Sequence, residues 1–333
     1  MKITIKEIAK LSGVSIATVS KVINRKDSKI SDETKNRVMK IIKETGYVPN
    51  RVASSMITKE TKTIGLVIPN IANPFFPEVV RGAEDKASEA GYSLILCNTD
   101  DQIDKEENCI AMLQEKMVDG ILYTASSRRH AISESLKHVG IPIISLDRDI
   151  VGLPVQGKIT VENVEGAFEA VSYLIKRGYS KIIHLTGPET STPTKQRIEG
   201  YKKAMDAHHL PYDDSCIIEG DYTSASGYAT MEKAIRSGLT FDAVFCGNDL
   251  IAIGCIKALK KHGLKILEEV GVVGFDDIYL ARMMDPELTT VSQPKYLMGY
   301  KAVELLLEVM GENKEGRREE ILKTTLVVRE TTR

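Results

Sequence analysis

From Thr4 to Asn24 the chain reads TIKEIAKLSGVSIATVSKVIN, in which apolar residues recur three and four apart, first at Ile5, Ile8 and Ala9, then at Val19, Val22 and Ile23. That spacing predicts two short helices, each with one inward stripe. Thr4 can cap the first, with Glu7 three residues on completing a capping box. Ser15 can cap the second. Between them, Gly13 supplies the open backbone of the turn and Val14 fills the angle between the helices. The second helix turns Ile16, Ala17, Ser20 and Lys21 outward. A third helix is expected from Ser31, with Asp32 and Glu33 in its first turn and Val38, Ile41 and Ile42 facing the other two; Pro49 should end it. Two short helices around a Ser/Gly/Val turn would by themselves be an ordinary hairpin. The third helix makes them a compact helix-turn-helix unit whose outward face can read bases.

Beyond Thr63 the pattern becomes strand-then-helix. Residues 63–69, 93–98, 120–123 and 142–147 are β-rich, with helical stretches near 77–90, 104–116 and 131–138. A second run places strands at 181–187, 216–219, 243–247 and 271–275 and helices near 165–177, 194–208, 224–236 and 250–262. Such alternation predicts two α/β lobes, each a parallel sheet with helices on both faces, and a cleft between them faced by the carboxyl ends of the strands.

Charge sharpens the division. Residues 1–62 carry 14 Lys/Arg against 6 Asp/Glu, while the remainder carries 31 against 40, a split that the overall charge of -1 conceals. A basic head on an acidic body suits phosphate contact at one end only. The absence of an 18-residue apolar run and of a secretory leader predicts a soluble cytoplasmic protein without membrane contact. The five cysteines are scattered through apolar segments, as expected of buried thiols rather than disulfides or metal ligands.

The head, then GYVPNRVASSM, then TIGLVIPNIANPFFPEVVRGAE resemble, in order and spacing, the LacI family of bacterial transcription regulators. The resemblance implies an α/β chain: an N-terminal all-α helix-turn-helix domain (1–48), a hinge segment (49–61) and a two-lobed periplasmic-binding-protein-like effector domain with Rossmann-like lobes. The lobes would comprise 62–160 with 291–321, and 161–290 with 322–333, the chain crossing near Val161, Thr290 and Leu322. It also implies a homodimer on palindromic double-stranded operator DNA; with no heptad tail after Val328, a dimer is expected rather than a tetramer. The residues assigned to DNA are Thr4, Ser15, Ile16, Ala17, Thr18, Ser20, Lys21 and Asn24 in the head, and Asn50, Arg51, Ala53 and Met56 in the hinge. Residues 50–56 are too few to hold a helix alone. They are expected to fold only on operator DNA, Met56 standing where the family has a wedging Leu.

Several polar or aromatic residues fall at or beyond strand ends: Asn73, Phe75 and Phe76 after the first strand, Asp147-Arg148 after the fourth, and Asn248, Asp276 and Gln293 further along the chain, while Arg197 is expected to open a helix in the second lobe. Singly, each is a cap, a salt bridge or core. Together they supply paired carboxylates and guanidiniums, amides that donate and accept, and aromatic faces, the groups a sugar requires. By resemblance, these positions and Tyr222 match those of ribose-binding periplasmic proteins and ribose repressors. Tyr222 replaces the usual Phe and adds a hydroxyl that could favour a larger or differently substituted sugar. An enzyme is the rival class, but no phosphate loop, metal-spaced His/Cys set or nucleophile elbow is present, so neither cofactor nor metal is expected. A global regulator driven by a protein corepressor is the remaining alternative.

Overall fold

The computed structural model describes residues 3–24, 27–48, 60–129, 131–132, 134–149, 152–311 and 318–333. The chain divides into two compact units, Met1–Thr61 and Lys62–Arg333. In the first, α1 (Ile5–Ser12), α2 (Ile16–Ile23) and α3 (Asp32–Thr45) follow the local signals closely. Thr4 and Glu7 form the reciprocal capping box, Ser15 caps α2 through the Thr18 N–H, and Gly13 adopts the left-handed conformation, φ 66°. Ile8, Val19, Val22 and Val38 form a small core with Ala9 and Tyr47. One expectation is corrected: α3 ends at Thr45 with Gly46 in the left-handed region, four residues before the first proline that could stop it. A glycine that satisfies the last carbonyls ends a helix as firmly as a proline.

The second unit holds two six-stranded sheets. The first contains β1 (Thr63–Ile68), β2 (Ser93–Asn98), β3 (Gly120–Tyr123), β4 (Ile143–Leu146), β5 (Gly157–Val161) and β11 (Arg318–Leu322), in the order β11-β5-β4-β3-β1-β2 and parallel throughout. Its helices are α4 (Phe75–Glu89), α5 (Ile103–Glu115), α6 (Glu134–Lys137) and α11 (Lys295–Gly311). The second sheet, ordered β12-β10-β9-β8-β6-β7, contains β6 (Ile182–Leu185), β7 (Ile217–Ile218), β8 (Ala243–Cys246), β9 (Gly271–Asp276), β10 (Thr289–Ser292) and β12 (Thr325–Val327). Only β12 runs antiparallel to its neighbour. Its helices are α7 (Asn163–Lys176), α8 (Thr192–Ala207), α9 (Ser224–Arg236) and α10 (Asp249–Lys261). Both sheets are buried on both faces: β1, β3, β4, β8 and β9 are almost continuously apolar, as two-sided burial requires.

The chain leaves the first sheet after Val161 and Leu322, and the second after Ser292. Val161 and Leu322 are therefore the last residues of first-lobe strands, and Val291 and Ser292 belong to the second lobe, one or two residues from the expected limits. A ladder continues as long as backbone partners exist, and side-chain pattern does not mark that point. The helix expected over 131–138 contracts to Glu134–Lys137. Strands β5, β10, β11 and β12 and the long α11 were not assigned from sequence. The lobes also touch beside the crossings, where Leu250, Ile253, Ile278 and Leu280 of the second lobe pack against the core of the first. No helix among the described residues is long and apolar enough to cross a membrane.

Candidate functional site

In the head, α2 buries Val19 and Val22 and leaves Ile16, Ala17 and Lys21 exposed, with Ser20 half-buried beside them. Ile16 is 44% exposed although apolar, which burial within the unit does not explain. Several polar residues assigned to DNA have local duties: Ser15 Oγ meets Thr18 Oγ1 at 2.9 Å, and Asn24 Nδ2 donates to the Ser20 carbonyl at 2.9 Å. Thr4 caps α1. Asn50, Arg51, Ala53 and Met56, with the expected hinge helix, lie outside the described residues.

The ten residues singled out in the body line one tight cavity, joined by Pro193, with ≈ 290 Å³ of atom-free space among them. Asn73 follows β1 and its Oδ1 accepts the Phe75 N–H at 3.1 Å, which turns Phe75 and Phe76 into the start of α4. The two rings meet edge to face, centroids 5.1 Å apart. Asn248 caps α10 by accepting the Ile251 N–H at 2.8 Å. The amide nitrogens of Asn73 and Asn248 bond no other described residue. Arg197 sits in the second turn of α8 rather than opening it, because the helix begins at Thr192 with Pro193 favouring its first turn. Its Nε donates to Asn163 Oδ1 (3.0 Å), its Nη1 to the Gly247 carbonyl (2.5 Å), and the guanidinium lies 3.7 Å from the Phe275 ring centroid.

Two buried polar atoms at this cavity make no hydrogen bond, Arg148 Nε and Gln293 Oε1. The other ends of both side chains are held: Arg148 Nη1 donates to Asp101 Oδ1 at 3.3 Å, and Gln293 Nε2 to Asp276 Oδ1 at 2.7 Å. No described residue donates to the Asp147 carboxylate, whose nearest cation is Arg148 Nε at 3.7 Å. Asp147 and Asp276 also adopt φ 64° and 116°, conformations that cost an aspartate of order 1–3 kcal/mol and concentrate at functional sites.

Burial pushes the Asp147 carboxyl above its ordinary range, against the pull of Arg148 and Arg197. It pushes Asp276 up to about 6, Arg197 opposing and Asp147 adding to the rise. Because the folded chain holds this proton more tightly than the unfolded one, Asp276 opposes folding above about pH 6 and the penalty is relieved as pH falls toward its ordinary 3.8. Ligand hydroxyls donating to the ionised carboxylate act the other way. Effector affinity is therefore expected to fall roughly tenfold from about pH 7 to about pH 5, with proton release on binding in that window. Titration calorimetry in buffers of different ionisation enthalpy measures both; a flat affinity across this range would remove Asp276 as an ionised acceptor.

Tyr222 lines the cavity with its hydroxyl engaged by its own lobe. Its hydroxyl lies 2.6 Å from Thr194 Oγ1 and 3.5 Å from Ser191 Oγ, and its ring lies under the Arg148 guanidinium, 5.0 Å from the centroid. The hydroxyl is committed to the second lobe and the ring forms the wall. Sequence reasoning passed over Asp101, which holds Arg148, and Lys295, whose Nζ donates to the Asp276 and Asp277 carbonyls at 2.8 Å each. Neither lies in a motif; a charge at the edge of an apolar helix, as at Lys295, was the only sequence signal.

Two lobes of parallel sheet with polar side chains at their facing strand ends define a periplasmic-binding-protein-like sensor, here on a chain that begins with a helix-turn-helix. Residues 4–50 match the family of bacterial regulatory proteins of the lacI type, and 61–330 match the periplasmic binding proteins and sugar binding domain of the LacI family. The chain belongs to the LacI family and is a DNA-binding transcription regulator. It is 36% identical to the ribose operon repressor of Halalkalibacterium halodurans, covering 99% of this chain and 97% of that one. It is 38% identical to the HTH-type transcriptional repressor PurR of Vibrio vulnificus over 98% of each. The structure of the Lac repressor dimer bound to operator and the anti-inducer ONPF superposes with a TM-score of 0.85 at 25% identity over 99% of both chains.

Proposed function

We propose that the cleft binds a small unmodified sugar, with ribose the first candidate, and that this ligand controls a homodimer's hold on a palindromic operator. The observation that carries the reading is the pair of unsatisfied buried atoms, a donor at Arg148 Nε and an acceptor at Gln293 Oε1, beside two carboxylates with raised affinity for protons. Buried polar atoms are nearly always paired. A sugar hydroxyl donates and accepts at once, so a ring of hydroxyls satisfies alternating carboxylates, guanidiniums and amides, while Phe76 and Tyr222 meet its C–H faces. The ribose operon repressor among the relatives supports this ligand class. The relative named PurR makes purine bases the necessary comparison. Thermal-shift measurements with pentoses, hexoses, their phosphates and purine bases test the proposal: ribose or a close isomer should raise the melting temperature through linkage. No shift with any monosaccharide overturns it.

On the DNA side, Ile16, Ala17 and Lys21 are proposed to face base edges in the major groove, with Lys21 the strong donor to guanine acceptors. Lys21→Ala is expected to cost roughly 1–3 kcal/mol on an operator enriched from random duplexes and to relax the preference at one position of each half-site. Fluorescence anisotropy on single-base operator variants checks this; an equal loss on cognate and scrambled duplexes would make Lys21 a phosphate contact instead.

A further inference from the structure

Among the described residues, three polar side-chain contacts join the lobes across the mouth of the cleft. Arg128 Nη2 lies 3.0 and 3.1 Å from the two carboxylate oxygens of Asp221, Thr190 Oγ1 donates to the Ser127 carbonyl, and Thr192 Oγ1 donates to the Asp149 carbonyl at 3.1 Å. The first-lobe partners are Ser127, Arg128 and Asp149. They come from two loops, one after β3 and one after β4, and both loops are gripped by a single carboxylate. Asp101 accepts the Ser127 N–H at 2.8 Å, the Ser127 hydroxyl, and Arg148 Nη1 at 3.3 Å. Ser127 and Arg148 are the immediate neighbours of Arg128 and Asp149.

We propose that Asp101 is a positioning residue that ties the ligand-facing arginine, Arg148, to a latch closing the two lobes. The base of the first loop is held independently by the buried Glu106, which accepts the Ser126 N–H at 2.7 Å and Arg129 Nε at 2.5 Å. Its tip, Ser127-Arg128, hangs on Asp101. An exposed ion pair such as Arg128–Asp221 contributes little when both side chains must be ordered to form it, and more when one partner is already in place. Asp101 supplies that ordering. With Nη1 held, the Nε edge of Arg148 stands 3.7 Å from the Asp147 carboxylate, both residues lining the cavity. From the opposite lobe the residue next to Asp221, Tyr222, lies under Arg148, so latch and site meet from both sides. Ligand binding at Arg148 and closure of the mouth therefore reinforce one another through one carboxylate.

Hydrogen exchange on the full chain without ligand tests the latch. Asp101→Asn keeps the size of the side chain and tolerates the φ of 58° seen here, so the fold should persist. Exchange is expected to rise about fivefold at 124–129 and also across the cleft at 188–195 and 220–224, with Asp221→Asn producing the reciprocal rise at 124–129. A rise confined to the first lobe in Asp101→Asn overturns the proposal. The second arm rests on the sugar reading. With ribose in the calorimeter, affinity should fall about tenfold in Asp101→Asn, about threefold in Asp221→Asn, and about tenfold in the double variant, since the latch is already lost. A double variant near the product, about thirtyfold, overturns the shared unit. If the unmutated protein takes up no monosaccharide the sugar reading fails, and the exchange data decide the latch alone.

Discussion

Arg148→Ala should weaken effector binding by roughly 2–4 kcal/mol, about 30- to 1,000-fold in the dissociation constant, the largest loss expected at any single cleft residue. Three effects combine. The ligand loses a charged donor at Nε, a buried donor without a hydrogen bond among the described residues. Asp147 loses its nearest cation and, already pushed toward the protonated form by burial, keeps only Arg197 to oppose that push. Tyr222 loses the planar cation over its ring. Arg148→Lys should recover only part of the loss, because an ammonium cannot bond Asp101 and the ligand along two edges of one plane. Titration calorimetry measures each step, and an Arg148→Ala protein that binds as tightly as its parent removes the arginine from the site.

Gly299→Ala is expected to cost about 3 kcal/mol, a fall in melting temperature of roughly 6–12 °C for a unit of this size. Helices α4 and α11 cross at two glycines. A Cβ on Gly299 would stand 1.9 Å from the Val79 carbonyl oxygen, and one on Gly82 would stand 1.9 Å from that of Tyr296. Backbone cannot yield as a side-chain tip can, so the helices must separate. The crossing also bears on the site: α4 begins with Phe75 and Phe76, and α11 begins two residues after Gln293, so a wider crossing displaces one cavity wall from the other. Gly311→Ala, with nothing within 4 Å of its added carbon, is the control and should leave the transition unchanged. Equal melting temperatures for Gly299→Ala and this control would show that the close approach is dispensable.

The head was legible in the sequence almost residue by residue, because its determinants are local: the Thr4–Glu7 box, the Ser15 cap, Gly13 in the left-handed turn and stripes of helical period are all set within a few residues. The error at the end of α3 has the same origin, since Gly46 and Pro49 both end helices and the pattern does not rank them. Most of the alternating strands and helices could also be read. Strands β5, GKITV, and β10, TTVS, were missed because polar residues interrupt them, unlike the equally short but apolar β3 and β8, and α11 because it is apolar on most of its faces.

The two α/β lobes, the basic helical head and the chemical kind of residue at the strand ends are readable along the chain, since side-chain period and strand-end polarity are properties of neighbours in sequence. What those residues do to one another is set by folding. It turned the Tyr222 hydroxyl to Thr194, aimed Arg148 through Asp101, and joined Arg128 to Asp221 across 93 positions of sequence. It also let two glycines bring α4 and α11 into backbone contact. Periodicity tells a side chain which face it occupies; only the folded sheets and their crossings bring it a partner from far along the chain.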